Sequence, residues 1–250
     1  MIDSKKIMEI SQLSHLRPWQ QEKHYLQSLI LTIISDYPLV FKGGTYLWFF
    51  HGLNRFSEDL DFTAKGLFKR ELPEFVSRSL RLYGYENKLK IINENNFNVS
   101  ARFMIDGPLH TNEKDRCIVY VEISMREKVI LPGIPLSINL PQYDIPVRTI
   151  TGMNLDEVGA EKVRAILTRN KDRDVYDLFY LIRLKNILFD QELINRKLDY
   201  YNKKFDPAEF LNRLGQAQKT YKKELRQTVL GELPDFDVVR AYIENWVKGG

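Results

Sequence analysis

The stretch Phe41–Phe62 reads FKGGTYLWFFHGLNRFSEDLDF, and the fold and the chemistry of this chain both turn on it. It holds a double glycine followed by a threonine, and it ends in two aspartates, Asp59 and Asp61, one residue apart. EDLDFTAK alternates charged with apolar residues, the period of a strand. That period sets Asp59 and Asp61 on one face and turns Leu60 and Phe62 to the other, toward a core. Ahead of it, PLVF predicts a short buried strand and Gly43-Gly44 a turn. TYLWFFHG then predicts a helix of about two turns, ended by Gly52. A chain that only has to fold rarely needs a bare backbone and a pair of aligned carboxylates so close together.

Outward from this stretch the pattern is mixed. Apolar residues at helical spacing over 19–36 (Tyr25, Leu26, Leu29, Leu31, Ile33, Ile34) predict a helix, and a second is expected over 68–83. Strands are expected around 87–94 and 97–105. RCIVYVEISMREKVI, rich in branched residues, is a strong strand signal. Prolines 132, 135, 141 and 146 then interrupt repeatedly, and after VRTI the composition changes. From Asp156 onward the chain reads as helical, with breaks near Asn186, near Asp206 and at GELPD. The expected class is α+β: residues 1–150 a mixed sheet with helices, and residues 151–250 a helical domain.

A length of 250 residues is enough for one large or two small domains with a buried core. The net charge is +4, split evenly, with 19 basic and 17 acidic residues in 1–150 and 18 and 16 in 151–250. That permits a nucleic-acid partner without demanding one. The single cysteine, Cys117, cannot form an internal disulfide and sits in an apolar run, so a buried inert thiol and a reducing compartment are expected. The first residues are polar, and no run approaches the roughly 20 apolar residues of a membrane helix. A cytoplasmic protein with no membrane partner is expected.

Nucleotide transfer would use what residues 41–62 offer. Gly43 and Gly44 leave backbone N–H groups open to a triphosphate. Thr45, at the start of a helix, adds a hydroxyl to that cradle. Two carboxylates on one strand face, Asp59 and Asp61, are oxygen ligands for divalent metal. Glu122, a lone acid in VYVEIS flanked by Val121 and Ile123, is placed to be a third metal ligand or a general base. Taken singly, each feature has a plainer reading as a turn, a solvated strand face or an exposed strand residue. In this order and context, chemistry is the better reading.

The arrangement resembles the nucleotidyltransferases of the DNA polymerase β-like superfamily, whose signature is Gly-Gly/Ser followed by Asp-X-Asp/Glu and a later carboxylate. Within it, KGGTYLWFFHGLNRFSEDLDF looks much closer to the AbiEii toxin family, with Lys42 before the Gly-Gly-Thr and the run Arg55 to Phe62. A second block, LDEVGAEKVRAILTRNKDRDVYDLFYL from Leu155 to Leu181, is similar to that family's Ala-Glu-Lys helix followed by Arg-Asp-X-X-Asp. The resemblance spans about 41 to 181 and implies a fold, a reaction and partners. The fold is a polymerase β-like domain followed by helices closing over the nucleotide. The reaction is transfer of a nucleoside monophosphate from an NTP, with Mg²⁺ or Mn²⁺. The setting is a toxin–antitoxin or phage-defence system, with the 3′ end of tRNA as acceptor and a separate antitoxin protein as partner. The catalytic set is then Asp59, Asp61, Glu122, Lys162, Asp174 and Asp177. Asp59, Asp61 and Glu122 bind metal. Lys42, Gly43, Gly44, Thr45, Ser57, Lys162 and Arg173 bind nucleotide.

On chemistry alone, Lys162 is a point charge able to reach a triphosphate. Asp174 and Asp177 either hold that lysine or bind metal or nucleotide, and either acid alone also suits a helix N-terminus. A protein or small-molecule acceptor, or a non-catalytic nucleotide- or partner-binding protein of the same fold, are the rival readings. Among lesser features, Arg55 is expected on phosphate or paired with Glu58, and His51 as a structural histidine. Arg213, Lys219, Lys222, Lys223 and Arg226 form a candidate basic helix face. Tyr200, Tyr201 and Tyr221 are candidates for base stacking or core packing.

Overall fold

The computed structural model describes residues 2–66, 70–169 and 171–249. They divide into two compact units, interleaved in sequence. Unit 1 is Met1–Tyr46, Glu58–Lys128 and Gly133–Gly152; unit 2 is Leu47–Ser57, Val129–Pro132 and Met153–Gly250.

Unit 1 holds helices α1 (Ser4–Ser14), α2 (Pro18–Ile33) and α4 (Leu72–Leu82) and every strand named here. The strands are β1 (Leu39–Lys42), β2 (Asp59–Ala64), β3 (Asn87–Asn95), β4 (Asn98–Ile105), β5 (Cys117–Ser124), β6 (Ile134–Ile138) and β7 (Arg148–Gly152). They form one mixed sheet in the order β3-β4-β5-β2-β1-β7-β6. β2 runs parallel to β5, β1 runs parallel to β7, and the other neighbouring pairs are antiparallel. β4 and β5 each bury alternate residues. Val99, Ala101, Phe103 and Ile105 of β4, and Val119, Val121 and Ile123 of β5, join the core with Leu26, Leu29 and Ile30 of α2 and Val76 and Leu80 of α4. Leu60 and Phe62 of β2 are buried as their period predicts, and Phe62 stacks on Phe41 of β1.

Two strands differ from the sequence expectation. β6 and β7 lie where the prolines suggested irregular chain. β6 is the sheet's edge and pairs only with β7, so Pro135 costs no ladder bond on its far side. The helix expected over 68–83 is described as α4 from Leu72; residues 68 and 69 lie outside the described residues.

α3 (Gly43–His51) begins in unit 1 and continues in unit 2. The expected turn at Gly43-Gly44 is therefore the first turn of this helix, with Gly43 at φ +79° and Gly52 at φ +76° beyond its end. Unit 2 also contains α5 (Leu155–Thr168), α6 (Asp172–Lys185), α7 (Gln191–Leu198), α8 (Pro207–Gln216), α9 (Tyr221–Leu225) and α10 (Phe236–Lys248). α5 packs on α6, α7 and α8, and α6 packs on α9 and α10. Their apolar stripes, including Val163, Ile166, Leu178, Leu181, Phe210, Leu214, Val239 and Ile243, make the second core. Inside it lies a fully buried lysine, Lys197, paired with Glu157 at 2.5 Å and Glu161 at 3.1 Å. Glu157 also accepts the backbone N–H groups of Ile130 and Leu131, at 2.9 and 2.8 Å. One carboxylate thus ties residues 129–132 to α5.

Candidate active site

In unit 1 the site is built around β2. Asp59 and Asp61 share its half-exposed face while Leu60 and Phe62 are buried behind them. Asp61 stands in register with Glu122 on one side and Lys42 on the other, and Asp59 with Tyr120. Side chains opposite one another on paired strands share a face, so Lys42, Asp61 and Glu122 form one row across three strands.

The glycine beside this row is needed for two reasons. A Cβ on Gly43 would lie 2.4 Å from Asp61 Oδ2, and its φ of +79° is one that L side chains rarely adopt. The bare backbone and the paired carboxylates are one device: the backbone at the start of α3 approaches the Asp61 carboxylate more closely than any side chain would allow. Gly44 is buried in the same first turn. Thr45 is fully buried and its hydroxyl donates to the Asp59 carbonyl at 2.5 Å. Its hydroxyl therefore pins α3 to β2, where the sequence suggested an open phosphate cradle.

The start of β2 is held from α2. Gln27 Nε2 donates to the Glu58 carbonyl at 2.8 Å, and the buried Lys23 pairs with the Glu58 carboxylate. Glu58 is thus the partner of Lys23, not of Arg55. Lys42 is buried and lies 3.9 Å from the buried Glu127, a carboxylate the sequence did not single out. Glu122 is 41% exposed, and its Oε1 accepts from Asn98 Nδ2 at 3.3 Å and Arg126 Nη2 at 3.2 Å. Among the described residues no three His, Cys, Asp or Glu side chains are gathered so as to hold a metal ion. Glu122, expected as a third ligand beside Asp59 and Asp61, has its Oε1 occupied by an arginine and an amide, and its Oε2 accepts from none of the described residues. The two β2 carboxylates remain, and a pair of hard oxygen donors on one half-exposed face fits a divalent ion such as Mg²⁺.

In unit 2 the site residues form a line of alternating charge. Arg55 grips Asp177 with two hydrogen bonds, Nε to Oδ1 at 3.0 Å and Nη2 to Oδ2 at 2.9 Å. Lys162 Nζ donates to Asp177 Oδ2 at 2.6 Å and to Asp174 Oδ1 at 2.9 Å. Arg169 closes the far end on Asp174, through Nε at 2.8 Å and Nη2 at 3.0 Å. All are buried except Arg169, whose side chain is 45% exposed. Burial alone would raise the pKa of both aspartates. For Asp174 the charges of Lys162 and Arg169 outweigh it, for Asp177 those of Arg55 and Lys162, and both carboxyls are held below their ordinary range. Burial likewise opposes the Arg55 charge, and Asp177 more than offsets it.

Of the readings open for Asp174 and Asp177, the geometry supports the one in which they hold Lys162. The ammonium has three protons; two go to these acids, and the third has no partner among the described residues. Arg173 is half-buried on α6 and makes no ion pair among the described residues. Ser57 is buried. Arg55 and Arg169 were the partners that sequence could not assign. Arg169 carried a faint signal in the charge-dense TRNKDRD, and Arg55 lies 122 residues from its acid.

The lesser features sort clearly. His51 is half-buried, its carbonyl accepts from Tyr180 at 2.5 Å, and burial, then the Lys185 charge, pushes its imidazole down to about 4. Tyr221 is fully buried against Phe236, while Arg164 stacks over Tyr201 and Tyr200 is exposed. The basic run does not form one helix face. Arg213 lies on α8, Lys219 on a 3₁₀ turn and Lys222 and Lys223 on α9, with Arg226 beyond it. Arg213 lines a cavity of about 270 Å³ with Arg169, Lys171, Asp172 and Glu224, and Lys222 pairs with Asp235 at 3.2 Å.

Residues 24–244 match the family model described as nucleotidyl transferase AbiEii toxin, type IV TA system. No curated protein matches the chain. Among solved structures, the chain resembles MenT4, a nucleotidyltransferase toxin from Mycobacterium tuberculosis H37Rv, with a TM-score of 0.65 and 21% identity over 96% of this chain and 87% of that one. It also resembles a putative nucleotidyltransferase from H. pylori, with a TM-score of 0.60 and 21% identity over 90% of this chain and 92% of that one. At this identity the structural likeness speaks for the fold.

Proposed function

Because the chain belongs to the nucleotidyl transferase AbiEii toxin family of type IV toxin–antitoxin systems, we propose that it transfers a nucleoside monophosphate from an NTP to the 3′ end of tRNA, with a cognate antitoxin as its partner. The observation that carries this reading is the row on β2 and β5. Asp59 and Asp61 share a face, the bare Gly43 backbone meets Asp61, and Glu122 stands in register beside it. Asp59 and Asp61 would hold Mg²⁺ or Mn²⁺, which when bound neutralises phosphate charge and stabilises the entering and leaving oxygens.

The residues of the chain divide the remaining work. Glu122 Oε2, which has no hydrogen-bond partner among the described residues, takes the proton from the acceptor 3′-hydroxyl. The hydroxyl oxygen attacks the α-phosphorus. A new phosphodiester bond forms, the bond from the α-phosphorus to its bridging oxygen breaks, and pyrophosphate leaves with that oxygen. Within unit 2, Lys162, held by Asp174 and Asp177, stays charged and has one N–H left to donate a hydrogen bond to a phosphate oxygen, and Arg173 adds a second cation. Lys42, Gly43, Gly44, Thr45 and Ser57 shape the β2 side, Thr45 by fixing where the aspartates stand.

Purified protein incubated with total tRNA, Mg²⁺ and each α-labelled NTP in turn should label RNA with one NTP. EDTA should abolish the label, added Mg²⁺ should restore it, and Asp59→Ala should lack it. Absence of label on RNA with every NTP, while Mg²⁺–NTP still binds, would remove tRNA as acceptor and turn attention to protein or small-molecule acceptors.

A further inference from the structure

The sheet of unit 1 has one face covered by α2 and α4 and another that is open over β3, β4 and β5. On that open face the cross-strand register sets a second row. Lys90 of β3 stands opposite Arg102 of β4, Arg102 opposite Tyr120 of β5, and Tyr120 opposite Asp59 of β2. Directly paired residues share a face, so two cations and an aromatic ring lead inward to a candidate catalytic carboxylate. Three strand spacings of about 4.8 Å each separate the ends of this row. Tyr120 and its neighbour Ile118 are each 37% exposed, and Lys90 is exposed.

Arg102 is the telling residue. It makes no ion pair among the described residues, and its Nε is buried from solvent without a hydrogen-bond partner there. A guanidinium left short of acceptors is costly unless something outside the chain supplies them. Lysines on an exposed edge strand have an ordinary explanation, since they discourage edge-to-edge pairing. β3 is the edge and Lys88 is already paired with Glu113 at 3.1 Å. That explanation does not reach Arg102, which lies on the interior strand β4.

We propose that the row Lys90, Arg102, Tyr120 is the track on which the single-stranded 3′ end of an RNA acceptor lies as it enters the site at Asp59. This inference rests on the proposed transferase reading and names the surface that presents the acceptor. Arg102 and Lys90 would take backbone phosphates, and Tyr120 would stack on a base, a mode that serves single strands because every base has a π-face. The adjoining row, with Ser100 and Glu122, would meet the terminal ribose.

The test measures binding of a fluorescent single-stranded RNA oligonucleotide, without NTP, beside an RNA duplex of equal length. Single strand should bind more tightly than duplex. Arg102→Ala and Tyr120→Ala should each weaken single-strand binding by roughly tenfold, the order that loss of one stacked base produces. Tyr120→Phe, which keeps the ring, should bind as the parent does. Lys90→Ala should lower the slope of affinity against salt by about one. Mg²⁺–NTP binding and the thermal midpoint should be unchanged in all four variants, which separates a lost track from a lost fold. Equal binding of single strand and duplex, or parent-like binding by both Arg102→Ala and Tyr120→Ala, would overturn the track. RNA labelling that persists undiminished in both variants would do the same and leave the transferase standing. Single-strand binding that depends on Arg102 and Tyr120, in a protein that labels no RNA with any NTP, would keep the track and reject the transferase reading.

Discussion

Asp177 anchors one end of the charged line in unit 2. It is fully buried and satisfies two cations at once, Arg55 and Lys162. Removing it leaves two buried charges short of a partner, which costs far more than the pair contributes. Asp177→Ala should lower unfolding stability by about 3–5 kcal/mol, measured by urea titration. Arg169→Ala should cost under about 1 kcal/mol, because its exposed guanidinium regains water. Equal losses from the two would refute the buried network as the source of the effect.

Acid should act on the same network with a definite sign. Asp174 and Asp177 have folded pKa values below their unfolded ones, so their contribution is complete above about pH 4 and is lost as pH falls below it. Burial depresses two histidines, His24 to about 3 and His51 to about 4. The unfolded chain protonates these first, so stability should begin to decline below about pH 6.5. The urea midpoint should therefore fall in two stages, gently below pH 6.5 and steeply below pH 4. Replacing His24 with Gln should flatten the first stage only.

At the scale of elements, a short helix and a short strand are locked together by one hydroxyl. Thr45 belongs to α3 and its acceptor to β2, fourteen residues on. Thr45→Val keeps the shape and leaves the Asp59 carbonyl without this donor, at about 1–3 kcal/mol. The RNA-labelling rate should fall 10- to 100-fold, the order that small misplacement of reacting groups produces. NTP binding should change much less, and a variant labelling at the parental rate would show that α3 does not position β2. The motif Arg55 to Phe62 shows how much such an element can hold. Arg55 binds Asp177, Phe56 packs on Trp48, Glu58 meets Lys23, Leu60 and Phe62 enter the core, and the two aspartates stay on the open face.

At the scale of the whole molecule, Cys117 reports on opening. It is buried on β5 and its thiol is pushed up to about 12 by burial, first of all, and then by the Glu22 charge. Reaction requires the thiolate and access. Iodoacetamide at pH 8 should leave the folded protein unlabelled and modify it fully in denaturing urea. A reductant should not shift the thermal midpoint, since there is no disulfide to break. Rapid labelling of the native protein would contradict the burial of β5.

The alternation in EDLDFTAK and VYVEIS was enough to set which residues of β2 and β5 face the core, because a strand's period is a local property. Helical spacing did the same for α2 and much of the chain after Asp156. β6 and β7 escaped, because a proline-broken run becomes a strand only when a neighbour pairs with it at the sheet's edge. By itself the sequence determined the carboxylate pair, the glycine beside it, the lysine and its two acids, and the family they point to. Only the tertiary structure decided what each side chain meets. It turned Thr45 toward a carbonyl, gave Arg55 to Asp177 rather than Glu58, set Glu122 against Arg126, and lined up Lys90, Arg102 and Tyr120. Period and composition depend on neighbours along the chain. A charge's partner depends on neighbours in space, often more than a hundred residues away, and no local pattern records them.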